Sequence, residues 1–203
     1  MITTINIHKI LYTSSDKKVF QNNFLFWFFL KLYFSIYYGF NIFYVIYGFL
    51  LWSFWEYVYH RFMMHGLKNT TYYNKLHGYH HQYPNKLSHI PVFQYILISP
   101  LFFITSYYLN PSVVYSYSVG HLLGLYCFEK MHYIIHNDLD KTHIYTKYHM
   151  YHHHNSNTTY CFTCPCFDII CYTFPTKKFS YNIIALLPIP YIGFLGVEEI
   201  KND

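Results

Sequence analysis

The sequence predicts an all-α integral membrane protein, with four transmembrane helices in two hairpins and a histidine-rich helical cap on their cytosolic side. Three observations predict it. Hydrophobic residues are 53% of the chain and charged residues only 11%, against roughly 25% charged in soluble domains, so too little charge remains to cover a water-facing surface. Two apolar blocks, Phe24 to Trp55 and Pro91 to Phe128, are each too long for one spanning helix of about 20 residues and suit a pair. Ten histidines fall in four clusters, His60/His65, His77/His80/His81, His132/His136 and His149/His152/His153, in the stretches that leave those blocks.

Residues 1–23 are polar, with Asp16, Lys17 and Lys18, and lack the apolar core of a cleavable secretory signal; they are expected to form a cytosolic N-terminus. Residues 24–57 form the first expected hairpin, turning at Gly39 to Asn41. The second, 91–128, turns at Asn110-Pro111-Ser112, a proline turn signal. Between and after them lie two polar histidine-bearing segments, 58–90 and 129–178. The tail, 179–203, is apolar but broken by Pro188 and Pro190, and reads as interfacial or re-entrant, with a fifth span as the alternative. The hairpin tips carry no charge, whereas Lys17, Lys18, Lys68, Lys75, Lys86, Lys130, Lys141, Lys147, Lys177 and Lys178 fall on the opposite side, which the positive-inside rule assigns to the cytoplasm. Lys31 fits poorly, lying within the first span unless the helix starts later or the side chain snorkels.

Several classes drop out. The net charge of +5 is spread over scattered lysines with no basic run, which argues against a nucleic-acid partner. With 26 tyrosines, 20 phenylalanines and Ala185 the only alanine, the composition is biased throughout, and aromatic stripes carry no functional signal. Arg61, the only arginine, stands out beside His60. Cys161 and Cys164 form a CxxC, but without a second pair at finger spacing the cysteines read as small apolar fillers in a reduced compartment.

The histidine spacing is chelating. Two clusters are HxxHH and one is HxxxH, and on a helix positions i, i+3 and i+4 share a face, so each can turn two or three imidazoles toward one point. His60 and His65 are five apart, about 140° around a regular helix, so they lie at a helix end or straddle two metals. Ten imidazoles exceed what one ion accepts, and two ions with about five each suit iron or zinc. His8, His89, His121 and His143 read as structural, and His154 as a residue that could shift the last cluster's register. Glu56, Glu129 and Asp168 are candidates to accept the second N–H of a ligand histidine. A histidine-rich metal transporter would place ligands at mid-membrane, where only His121 and Lys31 lie.

Four boxes resemble the fatty acid hydroxylase superfamily, and most closely its 2-hydroxylase branch. They are Glu56-Tyr57-x-x-His60-Arg61-Phe62-x-x-His65, His77-Gly-Tyr-His80-His81 with Pro84, Gly120-His-Leu-Leu-Gly124 leading to His132-Tyr133-x-x-His136, and Lys147-x-His149-x-x-His152-His153. Tyr160 to Asp168 is similar to a further family segment, with Cys161 in place of its glycine, Phe167 of its tryptophan, and Glu129 where an aspartate is usual. The spacing of twelve residues between His136 and His149 favours this branch over the sterol and carotenoid oxidases and desaturases of the same superfamily. The resemblance implies a hydroxylase domain over 24–178 in the endoplasmic reticulum membrane, its metal site facing the cytosol. The ten histidines would hold two metal ions, iron for activity with zinc possible in purified protein, and no catalytic residue is identified beyond that centre. The site would insert an oxygen of O2 at C2 of a long-chain fatty acid or ceramide acyl chain. Glu56, Arg61, Glu129 and Asp168 would support the ligands. Electrons would come from cytochrome b5 and its reductase, since the 59 residues before His60 hold no haem motif.

Overall fold

A computed structural model describes residues 17–66, 72–84, 104–137, 139–161, 163–188, 191 and 193–201. The chain is mostly helical and divides into two compact units, 1–49 with 88–129 and 50–87 with 130–203.

In the first unit, α1 (Lys17–Tyr37) begins ahead of the apolar block and α2 (Ile42–Leu50) follows it. The turn falls on residues 38–41, where Gly39 takes φ +99°, a conformation that favours glycine. The other wall is the first part of α5 (Pro111–Asn137). Asn110 caps that helix by accepting from the Ser112 amide at 2.9 Å, and Pro111 takes the first helical position, where its missing N–H costs nothing. Glycines set the crossing of α2 and α5. A Cβ on Gly48 would stand 2.2 Å from the Tyr117 carbonyl oxygen, and one on Gly120 1.8 Å from that of Val45, so the backbones touch. Ser35 and Ser116 hydrogen-bond at 2.8 Å in the same interior. Lys31 is 2% exposed and lies near His121, so its side chain turns into the unit rather than snorkelling out of it.

Ile42–Met64 is the one helix among the described residues long and apolar enough to cross a membrane; Phe24–Tyr37 is apolar but shorter. Most of the first arm of the expected second hairpin, 91–103, lies outside the described residues, as do His8 and His89.

The second unit contains α3 (Trp52–Val58), a π-helical turn (Tyr59–Met64), α4 (Tyr72–Gln82), the end of α5, α6 (Ile144–His154) and α7 (Cys166–Ile170). The expected interfacial tail, 179–203, is described over most of its length. It forms an antiparallel pair, β1 (Phe179–Tyr181) with β2 (Val197–Glu199), around two single 3-10 turns. Its apolar residues have a core to join: Phe179, Ala185, Phe194 and Val197 are buried, and the fully buried Tyr148 of α6 packs edge-on to Phe179 and Phe194. Cys161, Cys164 and Cys166 are buried in this unit, Cys161 against the Ser53 carbonyl at 3.6 Å.

Candidate metal centre

All ten cluster histidines belong to the second unit, and their side-chain nitrogens converge on two points. One group is His60, His65, His77, His81 and His152; the other is His80, His132, His136, His149 and His153; within each, one nitrogen per residue lies within 4.8 Å of all the others.

Helix geometry explains the partition. His77 and His81, one α-turn apart on α4, enter the first group, while His80 turns to the second. On α6 the pattern is mirrored: His149 and His153 enter the second group and His152 the first. Each HxxHH box therefore serves both points rather than one, which corrects the expectation of a single focus per cluster. His132 and His136 supply the second group at i, i+4 from the end of α5.

His60 and His65 both enter the first group instead of straddling the two. The π-helical turn resolves the mismatch of five residues. The His65 amide donates to the His60 carbonyl at 3.2 Å, an i→i+5 bond, which widens the turn until residues five apart lie over one another.

The convergence fits bound cations. In the first group the His77 Nε2 stands 3.0, 2.8 and 2.9 Å from the Nε2 atoms of His60, His65 and His81. A ring nitrogen carries either one hydrogen or one in-plane lone pair and so makes one hydrogen bond as donor or acceptor; mutual hydrogen bonds cannot satisfy four of them at once. In the second group His136 Nε2 lies 3.1 Å from His132 and 2.8 Å from His149. Five imidazoles converging on each point suit a transition metal such as iron or zinc.

A short strap holds two of these imidazoles. His60 Nδ1 lies 2.5 Å from the Tyr160 carbonyl oxygen and His152 Nδ1 2.7 Å from that of Thr158. A carbonyl only accepts, so both Nδ1 atoms carry the proton and both Nε2 lone pairs face the first point.

A family model described as fatty acid hydroxylase matches residues 45–173. The chain belongs to the fatty acid hydroxylase family. It is 31% identical over 146 residues to the dihydroceramide fatty acyl 2-hydroxylase FAH1 of Arabidopsis thaliana, covering 66% of this chain and 61% of that protein. It is 32% identical over 120 residues to FAH2 of the same plant, covering 54% and 50%. The chain thus spans between half and two thirds of the length of these relatives. No solved structure matches it.

In this family member the supporting carboxylates brace backbone. Asp168, fully buried, accepts from the Tyr160 and Cys161 amides at 2.9 and 2.7 Å and from the Thr173 hydroxyl at 2.6 Å. Glu56, one turn before His60, accepts from the Thr163 amide at 3.1 Å and from its hydroxyl. The second N–H of His60 and of His152 thus goes to a main-chain carbonyl, not to the carboxylate expected from sequence. Arg61 donates to the Tyr57 hydroxyl, and its guanidinium lies over the rings of Tyr57, Phe62 and Tyr160 at 5.3–5.8 Å. Glu129, fully buried, falls in the first unit, three residues before His132 on the same helix. His154 is exposed and outside both groups, and His143 caps α6 by accepting from the Tyr145 amide.

The electrostatics keep the donors neutral. Burial, then neighbouring imidazoles, holds His77, His149 and His152 well below the usual histidine range and lowers His65 and His136 to about 4. Burial pushes the Asp168 carboxyl up to about 6, against the pull of its three donors. A cleft of about 280 Å³, lined by Met64, His65, His77, Gly78, His81, His153 and Ser156, opens beside the first group and reaches imidazoles of both.

Proposed function

We propose that the chain is an O2-dependent 2-hydroxylase of long-chain fatty acids or ceramide acyl chains. The carrying observation is the pair of five-imidazole groups, set in a family whose similar relatives are named as dihydroceramide fatty acyl 2-hydroxylases. His60, His65, His77, His81 and His152 would hold one ion, and His80, His132, His136, His149 and His153 the other. Iron, when bound, supplies the redox chemistry with O2 that imidazole ligation supports. The chain's own part is positional. The Thr158 and Tyr160 carbonyls fix two imidazoles in the tautomer that presents Nε2, burial keeps the set unprotonated, and the cleft gives small molecules a route to both groups.

The reaction consumes O2, two electrons and two protons, replaces one C2–H bond by C2–OH, and releases water. The donor set supplies no electrons, which we assign to cytochrome b5 and its reductase. The reading includes four membrane spans in the endoplasmic reticulum with the histidine face in the cytosol, so that the substrate's head reaches the centre while its tail stays in lipid. Expression in a host lacking its own 2-hydroxylase tests the reading. Under 18O2, one labelled oxygen is expected at C2 of sphingolipid acyl chains, lost in His80→Ala and His152→Ala. Unlabelled product, or altered sterols or carotenoids with unchanged acyl chains, overturns it.

A further inference from the structure

Thr158, Thr159 and Tyr160 present two carbonyls, and both go to imidazoles of the first group, His60 from the π-helical turn and His152 from α6. Between them Thr159 is fully buried with φ +54°, a left-handed conformation that a β-branched residue adopts only under constraint. The constraint is visible. The Thr159 amide donates to the Thr173 carbonyl at 3.2 Å, Asp168 takes the next two amides, and Glu56 takes both donors of Thr163. Asp168 also accepts from the Thr173 hydroxyl, so the carboxylate ties both sides of the strap together.

We propose that Asp168 and Glu56 are positioning residues for the first metal point alone. Resting on the reading of the two groups as a metal centre, they act through backbone. Their carboxylates hold the Thr158–Cys161 strap and the Thr163 amide and hydroxyl, the strap aims the Nε2 atoms of His60 and His152, and the group built from His80, His132, His136, His149 and His153 does not depend on it. The two points are then unequal by construction. Loss of one brace loosens one ion while the other stays bound. Asp168→Asn places an amide NH2 where a carboxylate oxygen now accepts from a backbone N–H, which sets donor against donor and releases one end of the strap.

The test uses two backgrounds in the full-length chain purified in nanodiscs. His149→Ala/His153→Ala leaves only the first point able to bind, and His65→Ala/His81→Ala only the second. Iron(II) is loaded anaerobically and its release to a chelator is timed. Asp168→Asn is expected to speed release on the order of 10–100-fold in the first background, the effect typical of a residue that orients a metal ligand, and to leave the second unchanged. Helical circular dichroism should not move. Should Asp168→Asn fail to fold, Thr163→Val, which removes the hydroxyl donor to Glu56, carries the same test with a smaller effect of the same selectivity. Equal acceleration in both backgrounds, or none in the first, overturns the positioning role while the metal centre stands. A wild-type chain that takes up no metal overturns both.

Discussion

His80 and His81 are neighbours in sequence, yet their imidazoles join different groups. Each alanine substitution should therefore weaken a different metal. Zinc in four-ligand structural sites is bound with about 10–16 kcal/mol, or about 3 kcal/mol per ligand, so removing one imidazole of five should cost about 2–3 kcal/mol, roughly 100-fold in affinity. Two-site titration against a competing chelator measures this. His80→Ala should lower one affinity and His81→Ala the other, with the double mutant showing the sum, since the two share no ion. His81→Ala with His152→Ala, both in the first group, should instead be non-additive, because the first deletion already spoils the point that the second would. The partition is refuted by His80→Ala and His81→Ala weakening the same site.

Other expectations concern packing and protons. Gly120→Ala places a Cβ 1.8 Å from the Val45 carbonyl, so α2 and α5 must separate; a loss of at least about 1–3 kcal/mol and a lower Tm in detergent are expected. Tyr148→Ala should cost about 3–5 kcal/mol, read by the same melt, because the residue is 0% exposed and supports Phe179 and Phe194 of the tail. An interfacial tail packed on nothing would be indifferent. For the metal-free chain, His65 and His136 titrate near 4 when folded and near 6.5 when unfolded. Above 6.5 both states are neutral; as pH falls below about 6.5 the unfolded chain takes up protons that the folded one refuses, so Tm should drop from there, and it should keep falling below 4 because the more deeply buried His77, His149 and His152 stay neutral in the folded chain.

The histidine clusters and a total that makes two groups of about five were legible because side-chain type is written in the sequence, but the membership of each group was not, since both HxxHH boxes split between the two. Three further features were not. The π-helical turn depends on a hydrogen-bond choice at His65 that residue type does not dictate, and so the spacing of His60 and His65 read as a conflict. The strap works through the Thr158 and Tyr160 carbonyls, and main-chain acceptors carry no sequence signal; only the resemblance over Tyr160 to Asp168 pointed there. The burial of Phe179 and Phe194 required knowing that Tyr148 faces them. Apolar composition alone does not distinguish a residue facing lipid from one facing a core. Lys31 shows the reverse error, since a charge within an apolar block invited a snorkelling account when its side chain turns inward.

The crossed donation of the HxxHH boxes has a consequence for folding. Each metal point takes a pair from one of α4 and α6 and a single imidazole from the other, so neither can form until those helices are in register. The π-helical turn completes the first point and the end of α5 the second. With four chain segments each contributing imidazoles to the two groups, metal binding, where it occurs, is coupled to docking of the helices, and binding free energy becomes folding free energy. The strained strap fits the same logic. Constraint held at Thr159 is sustained only while Asp168 and Glu56 keep their donors, so the first point, with more of its alignment delegated to backbone, is the one whose ion should leave first when the second unit loosens.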